Sequence, residues 1–263
     1  MKTTEITAVQ TAKSLLQVKA IKLNNENPFT WASGRKSPIY CDNRVTLSYP
    51  EVRTFIRQQF VETITECFSD CDVIAGVATG GIAQGVLVAQ DLCKPFAYVR
   101  AEQKSHGLTN QIEGDVRDGQ SVIVVEDLVS TGKSSLNAVK ALRDRGCKVK
   151  GMVAIFTYGL DVAIKSFAEA KVELHTLTNY NTLIAVARDE NYITNEEMAS
   201  LAKTGMPQRM LNFSPASFSS SRRRPRKKVS SFSFMTLLPS ERDPGKQKRC
   251  RKFGSAEHDK AQQ

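Results

Sequence analysis

At 263 residues the chain exceeds one average domain and falls short of two, and its charge is unevenly spread: residues 1–204 hold 23 basic and 23 acidic side chains, residues 205–263 hold 14 and 4. The net charge of +10 therefore resides in the last 59 residues, so the anionic partner that a basic chain implies is excluded for the first 204 and applies only to the tail. No run of eighteen apolar residues occurs and the N-terminus lacks the basic-then-apolar pattern of a secretory signal, which excludes a membrane helix and predicts a soluble, cytoplasmic chain.

Ile6, Val9, Leu15, Leu16 and Ile21 share one helical face, which predicts an opening helix over Ile6–Ile21. Ser48 and Glu51 have the spacing of a capping box, followed by Val52, Phe55, Ile56, Phe60, Ile64 and Phe68 at mixed three-and-four spacing, which predicts a second amphipathic helix. From Asp72 the pattern changes to short apolar runs that alternate with helices. Strands are predicted at 72–77, 96–99, 121–126, 149–157 and 171–176. Helices are predicted from the glycines at 80–81 to about Cys93, from 133 to about Arg145, near 160–170 and at 180–188, and one more capped by Thr194 and Glu197. Runs buried on both faces and interleaved with helices predict an α/β domain, a mostly parallel doubly wound sheet with helices on both faces. The six scattered cysteines, without a CxxC pair, suit buried free thiols better than a disulfide frame or a zinc site.

After Gly205 the Ser-, Pro- and Arg/Lys-rich sequence has no sustained period, so the basic C-terminal tail, 205–263, is expected to be disordered. A nucleic-acid-binding arm built on Arg222 to Lys228, a solvated extension without a role, and a reading-frame change near Gly205 are all compatible with its composition.

The segment from Val122 to Ser135 carries most of the chemistry. An apolar strand ends in Glu126 and Asp127, and Ser130, Thr131, Gly132, Lys133 and Ser134 open a helix, where backbone N–H groups and hydroxyls cradle an anion. Gly132-Lys133-Ser134 matches the end of a Walker A loop, but that motif requires glycine at position 127, which is Asp127. No G-x-G-x-x-G is present to bind a dinucleotide either. An acidic pair ahead of a monophosphate cradle suits the vicinal hydroxyls of a ribose whose 5-phosphate lies further along the loop.

This strand followed by E-D-x-x-S-T-G-K-S resembles the phosphoribosyl diphosphate (PRPP) motif of type I phosphoribosyltransferases. The run from Phe29 to Arg44 resembles the N-terminal hood of the orotate phosphoribosyltransferases, with the pattern F-T-x-x-S-G-x-x-S-P, which purine phosphoribosyltransferases lack. Arg100, Lys104 and His106, in a polar stretch reaching Asp118, resemble the family's flexible catalytic loop. The resemblance covers residues 1 to about 203. It implies a type I phosphoribosyltransferase fold over 1–204, with a hood at about 1–47 and a catalytic loop at about 100–118.

The implied reaction is transfer of the phosphoribosyl group from PRPP to orotate, giving orotidine 5'-monophosphate and pyrophosphate in pyrimidine synthesis. Its cofactor is Mg²⁺, held mainly by PRPP, with no metal-ligating residue of the protein assigned. The resemblance places Arg100, Lys104, His106, Glu126, Asp127, Leu128, Val129, Ser130, Thr131, Gly132, Lys133 and Ser134 on PRPP, and Lys104, His106 and Asp127 in catalysis. It places Ser130, Tyr40 and Cys41 on orotate, and Ala78 to Gly81 on the diphosphate. Ala32 and Ala101 stand where one bacterial branch has basic residues, so no diphosphate contact is implied there, and no arginine is assigned to the orotate carboxylate. A homodimer whose loop is shared between subunits is implied, with no membrane partner and with nucleic acid restricted to the tail. A purine-type transferase and a PRPP-binding regulator that uses the tail on nucleic acid are the alternatives.

Overall fold

The computed structural model describes residues 4–24, 29–30, 36–68, 71–101 and 111–203, all within the unit that runs from Met1 to Phe218. The chain opens with α1 (Glu5–Gln17), capped by the Thr4 hydroxyl, which accepts from the Thr7 amide. This helix stops short of the predicted Ile21, because Lys19 takes a φ of 59° and turns the chain. Ile21–Leu23 instead becomes β1. Phe29–Thr30 (β2) pairs with Lys36–Ser37 (β3), and Ile39–Cys41 (β4) runs antiparallel to β1.

A 3-10 turn over Asn43–Ser48 leads into α2 (Pro50–Cys67). The capping box expected at Ser48 does not form. Ser48 ends the 3-10 turn and Tyr49 is the N-cap without a side-chain bond, while Pro50, first in the helix, has no N–H to be capped. The apolar face is as predicted, with Ile56, Phe60 and Ile64 buried. The second capping box is present: Thr194 and Glu197 exchange amide-to-side-chain bonds of 2.7 and 3.1 Å.

The central sheet is built from β5 (Val73–Val77), β6 (Phe96–Val99), β7 (Ile112–Glu113), β8 (Ser121–Val129), β9 (Lys148–Thr157) and β10 (Leu174–Asn179), in the spatial order β10-β9-β8-β5-β6-β7. All neighbours are parallel except β7, which runs antiparallel to β6 at one edge. The first strand predicted after the second helix and the one at 96–99 are found nearly where expected. The last strand lies three residues later than predicted, because Lys171 (φ 52°) still belongs to the turn that closes the preceding helix. β7 falls inside the predicted loop at 100–118 and narrows it.

The connecting helices are α3 (Gly80–Asp91), α4 (Lys133–Asp144), α5 (Asp161–Glu169), α6 (Tyr180–Asp189) and α7 (Asn195–Lys203). From β5 the chain proceeds through α3 to β6, and from β8 it proceeds the opposite way through α4 to β9. Right-handed crossovers in opposite directions place α3 and α4 on opposite faces. β5 and the Val122–Val125 half of β8 are wholly buried between them. The point at which the strand order reverses, between β5 and β8, is where such sheets open a crevice at their carboxyl ends.

Cys41, Cys67, Cys71 and Cys147 are free thiols, as expected. Among the described residues no helix is long and apolar enough to cross a membrane.

Candidate active site

A cavity of about 420 Å³ occupies the crevice, with walls from three places in the sequence. Val77 to Gly80 come from the end of β5 and the start of α3. Glu126 to Leu128 and Ser130 to Ser134 come from the end of β8 and the start of α4. Cys41, Asp42 and Arg44 come from the end of β4 and the segment after it.

The helix starts on two of these walls are both free of side-chain caps. Gly132 is the N-cap of α4, with φ 81° and no side-chain hydrogen bond, and no acidic residue follows in the first turn. A side chain at Gly132 would meet left-handed backbone strain and the Phe167 ring at 2.9 Å, so glycine alone lets the loop turn there over α5. Thr79, N-cap of α3, likewise caps nothing with its side chain, and the Ala78–Thr79 peptide is cis. Unsatisfied N–H groups and the positive end of the helix dipole make each start an anion cradle.

Between the two cradles stands the acidic pair. The Asp127 carboxylate lies directly against Gly80, where a β-carbon would collide with it. Glu126 is buried, its two oxygens accepting from the Asp127 amide and the Ser135 hydroxyl, each at 3.0 Å. Burial, and then the neighbouring Asp127 carboxylate, hold the Glu126 carboxyl well above the usual carboxylate range. β8 runs three residues further than predicted, pairing with β9 as far as Val129 and Thr157, so Asp127 as well as Glu126 is fixed on a strand rather than on a loop.

The third wall is tied to this pair. The buried Asn43 donates from Nδ2 to the Asp127 carbonyl at 2.6 Å and accepts at Oδ1 from the Cys41 thiol at 3.3 Å. Arg44 donates from Nε and Nη2 to the two Asp42 carboxylate oxygens at 2.7 and 2.9 Å, which holds Asp42 below its usual range. Burial, followed by the charges of Asp127 and Asp42, pushes the Cys41 thiol well up, so it faces the cavity protonated.

Of the residues singled out in the sequence, Cys41, Glu126, Asp127, Leu128, Ser130, Thr131, Gly132, Lys133 and Ser134 line the cavity. Val129 is buried beneath it, with its carbonyl accepting from the Tyr158 amide and the Thr157 hydroxyl. Tyr40 is outside the lining and partly exposed, its ring 5.7 Å from that of Phe29. Arg100 stands at the end of β6, its Nη1 3.6 Å from Glu113 Oε1. Lys104, His106, Ala32 and the tail lie outside the described residues. Asp42, Asn43 and Arg44 were not singled out as site residues. Their signal was the polar D-N-R run that closes the hood segment from Phe29 to Arg44, which neither strand nor helix periodicity explains.

Two anion cradles separated by carboxylates suit a ligand that is phosphorylated at both ends and carries hydroxyls between. The family model described as the phosphoribosyl transferase domain matches residues 51–178. The orotate phosphoribosyltransferase of Phocaeicola vulgatus is 57% identical over 190 residues, covering 72% of this chain and 90% of that protein. That of Listeria innocua is 54% identical over 192 residues, covering 73% and 92%. Among solved structures, the orotate phosphoribosyltransferase of Aeropyrum pernix superposes with a TM-score of 0.60 at 30% identity over 70% of this chain and 99% of that one. With identity above half across nine-tenths of its relatives' length, the chain belongs to the orotate phosphoribosyltransferase family.

Proposed function

We propose that the chain transfers the 5-phosphoribosyl group of PRPP to orotate, releasing pyrophosphate and forming orotidine 5'-monophosphate in pyrimidine synthesis. The observation that carries this reading is the acidic pair Glu126–Asp127 set between the uncapped starts of α3 and α4. The backbone and hydroxyls of Ser130 to Ser134, with Lys133, hold the 5-phosphate. Glu126 and Asp127 accept from the ribose hydroxyls, and Ala78 to Gly81 receive the diphosphate. Leu128 and Val129 shape the strand end beneath them.

As the bond from ribose C1 to the diphosphate oxygen breaks, C1 gains oxocarbenium character, and orotate N1 forms the new bond while its proton departs. Such a step requires charge placement and exclusion of water rather than a protein nucleophile. Asp127 lies nearest the developing positive charge. Arg100, Lys104 and His106 neutralise the leaving pyrophosphate, and His106 supplies it with a proton. Ser130, with the backbone of Tyr40 and Cys41, contacts the base.

The donor set fits Mg²⁺ only as a passenger of the substrate. No group of three or more His, Cys, Asp or Glu among the described residues forms a cage. When bound, the ion offsets diphosphate charge. We assign the working form to a cytoplasmic homodimer in which the loop at 100–118 closes over the neighbouring subunit's site.

The test is loss of orotate absorbance on adding PRPP and Mg²⁺, with adenine, guanine and hypoxanthine as competing bases. PRPP-dependent loss of orotate alone is expected. Consumption of a purine instead overturns the base assignment, and PRPP binding without turnover of any base points to a regulator.

A further inference from the structure

Orotate is an anion at neutral pH, its carboxylate carried on the ring carbon next to the reacting N1. A receptor for that carboxylate must therefore stand near the ribose-binding acids yet apart from the phosphate cradles. Among the described residues of the cavity wall only Arg44 and Lys133 are cationic. Lys133 is the first residue of α4 and belongs to the phosphate cradle. Arg44 stands on the third wall, on the segment whose Asn43 is bonded to the Asp127 backbone.

The arrangement of its donors decides what Arg44 can do. A guanidinium offers five N–H groups in a planar fork. Asp42 takes one from Nε and one from Nη2, along one side. The end of the fork, Nη1 together with the second Nη2 hydrogen, remains free to meet another carboxylate with two parallel bonds. Asp42 is itself fixed: its amide donates to the Ala20 carbonyl at 2.8 Å and its Oδ1 also accepts from the Arg44 amide at 3.2 Å. The Arg44 side chain is 56% exposed, so its free edge is accessible to a ligand.

We propose that Arg44 is the receptor for the base carboxylate, aimed by Asp42 as a positioning residue. This rests on the function proposed above. Without Arg44 the wall would present Asp42 and Asp127 to an anionic base, so its removal both takes away an attraction and uncovers a repulsion.

The experiment is steady-state kinetics with orotate and PRPP varied separately, on the full chain and on Arg44→Gln, Arg44→Lys and the double variant Arg44→Gln with Asp42→Asn. The loss of a charge-assisted bidentate contact is expected to raise the orotate KM about 10- to 100-fold in Arg44→Gln, with the PRPP KM changed by less than about twofold. Arg44→Lys, which keeps the charge but loses the fork, should fall between. The double variant should recover part of the loss, because the uncovered Asp42 charge is gone. An orotate KM within about twofold of wild type in Arg44→Gln, or an equal rise in both KM values, overturns this assignment alone while wild-type turnover of orotate stands. A wild-type chain that consumes no orotate overturns the proposed function and this assignment with it.

Discussion

Replacing Glu126 with glutamine isolates the electrostatic cost of placing two carboxylates side by side under the sheet. Glu126 is 4% exposed and adjoins Asp127. Burial and that neighbour raise its pKa in the folded state well above the value of 4.5 that an unfolded chain retains. Above about pH 4.5 the folded protein therefore holds a proton that the unfolded chain has released. Stability falls as pH rises, until the raised folded-state pKa has been passed.

A difference of one proton gives a slope of about 1.4 kcal/mol per pH unit at most. For a domain of this size that is about 3 to 5 °C of melting temperature per pH unit. Glutamine keeps the shape and an oxygen for the Ser135 hydroxyl but has no proton to lose, so this part of the slope disappears. Thermal unfolding of both proteins without ligand, at half-unit steps from pH 5 to 8, measures the difference directly. Parallel curves would refute the reasoning, since every other titrating group is common to the two proteins.

Asn43→Ala removes the donor that meets the Asp127 carbonyl at 2.6 Å inside the protein. A buried bond of this kind is worth about 1 to 3 kcal/mol once its partner is left unsatisfied, which corresponds to a loss of about 2 to 12 °C in melting temperature. A shift under 1 °C by calorimetry would contradict it. Gly132→Ala places a methyl group on a left-handed residue against the Phe167 ring, and about 1 to 2 kcal/mol of backbone strain should open the loop. Titration calorimetry with PRPP should then show about 5- to 30-fold weaker binding, and wild-type affinity would count against the cradle.

The part of the site that was legible in the sequence is the part that is local. An apolar strand, two acids, small hydroxyl residues and Gly132 in one short run carry their geometry with them, because the strand end, the left-handed turn and the helix start follow from neighbouring residues. The hood segment was legible as a pattern, and the pairing of β1 with β4 was not. Its register depends on Lys19 turning the chain, and nothing in an amphipathic repeat through Ile21 signals a left-handed residue.

The capping box failed at Ser48 and held at Thr194 for a related reason. A serine two residues before a helical proline faces a first residue without an N–H, whereas Thr194 stands directly before α7 and bonds the Glu197 amide. The Asn43–Asp127 bond spans 84 positions, so it belongs to the tertiary fold and to no motif. β7 was missed because a strand of two residues has no period to read.

The two ends of the segment proposed as the catalytic loop are tied to each other. The Arg100 amide donates to the Gln111 carbonyl at 2.9 Å, the Gln111 side chain donates back to the Arg100 carbonyl at 3.0 Å, and Val99 faces Ile112 across the ladder. Arg100 and Gln111, on either side of residues 102–110, are thus joined to each other. The entropy of closing a loop grows only with the logarithm of its length, so doubling that segment would cost the fold about 0.6 kcal/mol. Its length and sequence are thereby largely released from the demands of folding, and substitutions there are free to change turnover while leaving the melting temperature almost untouched.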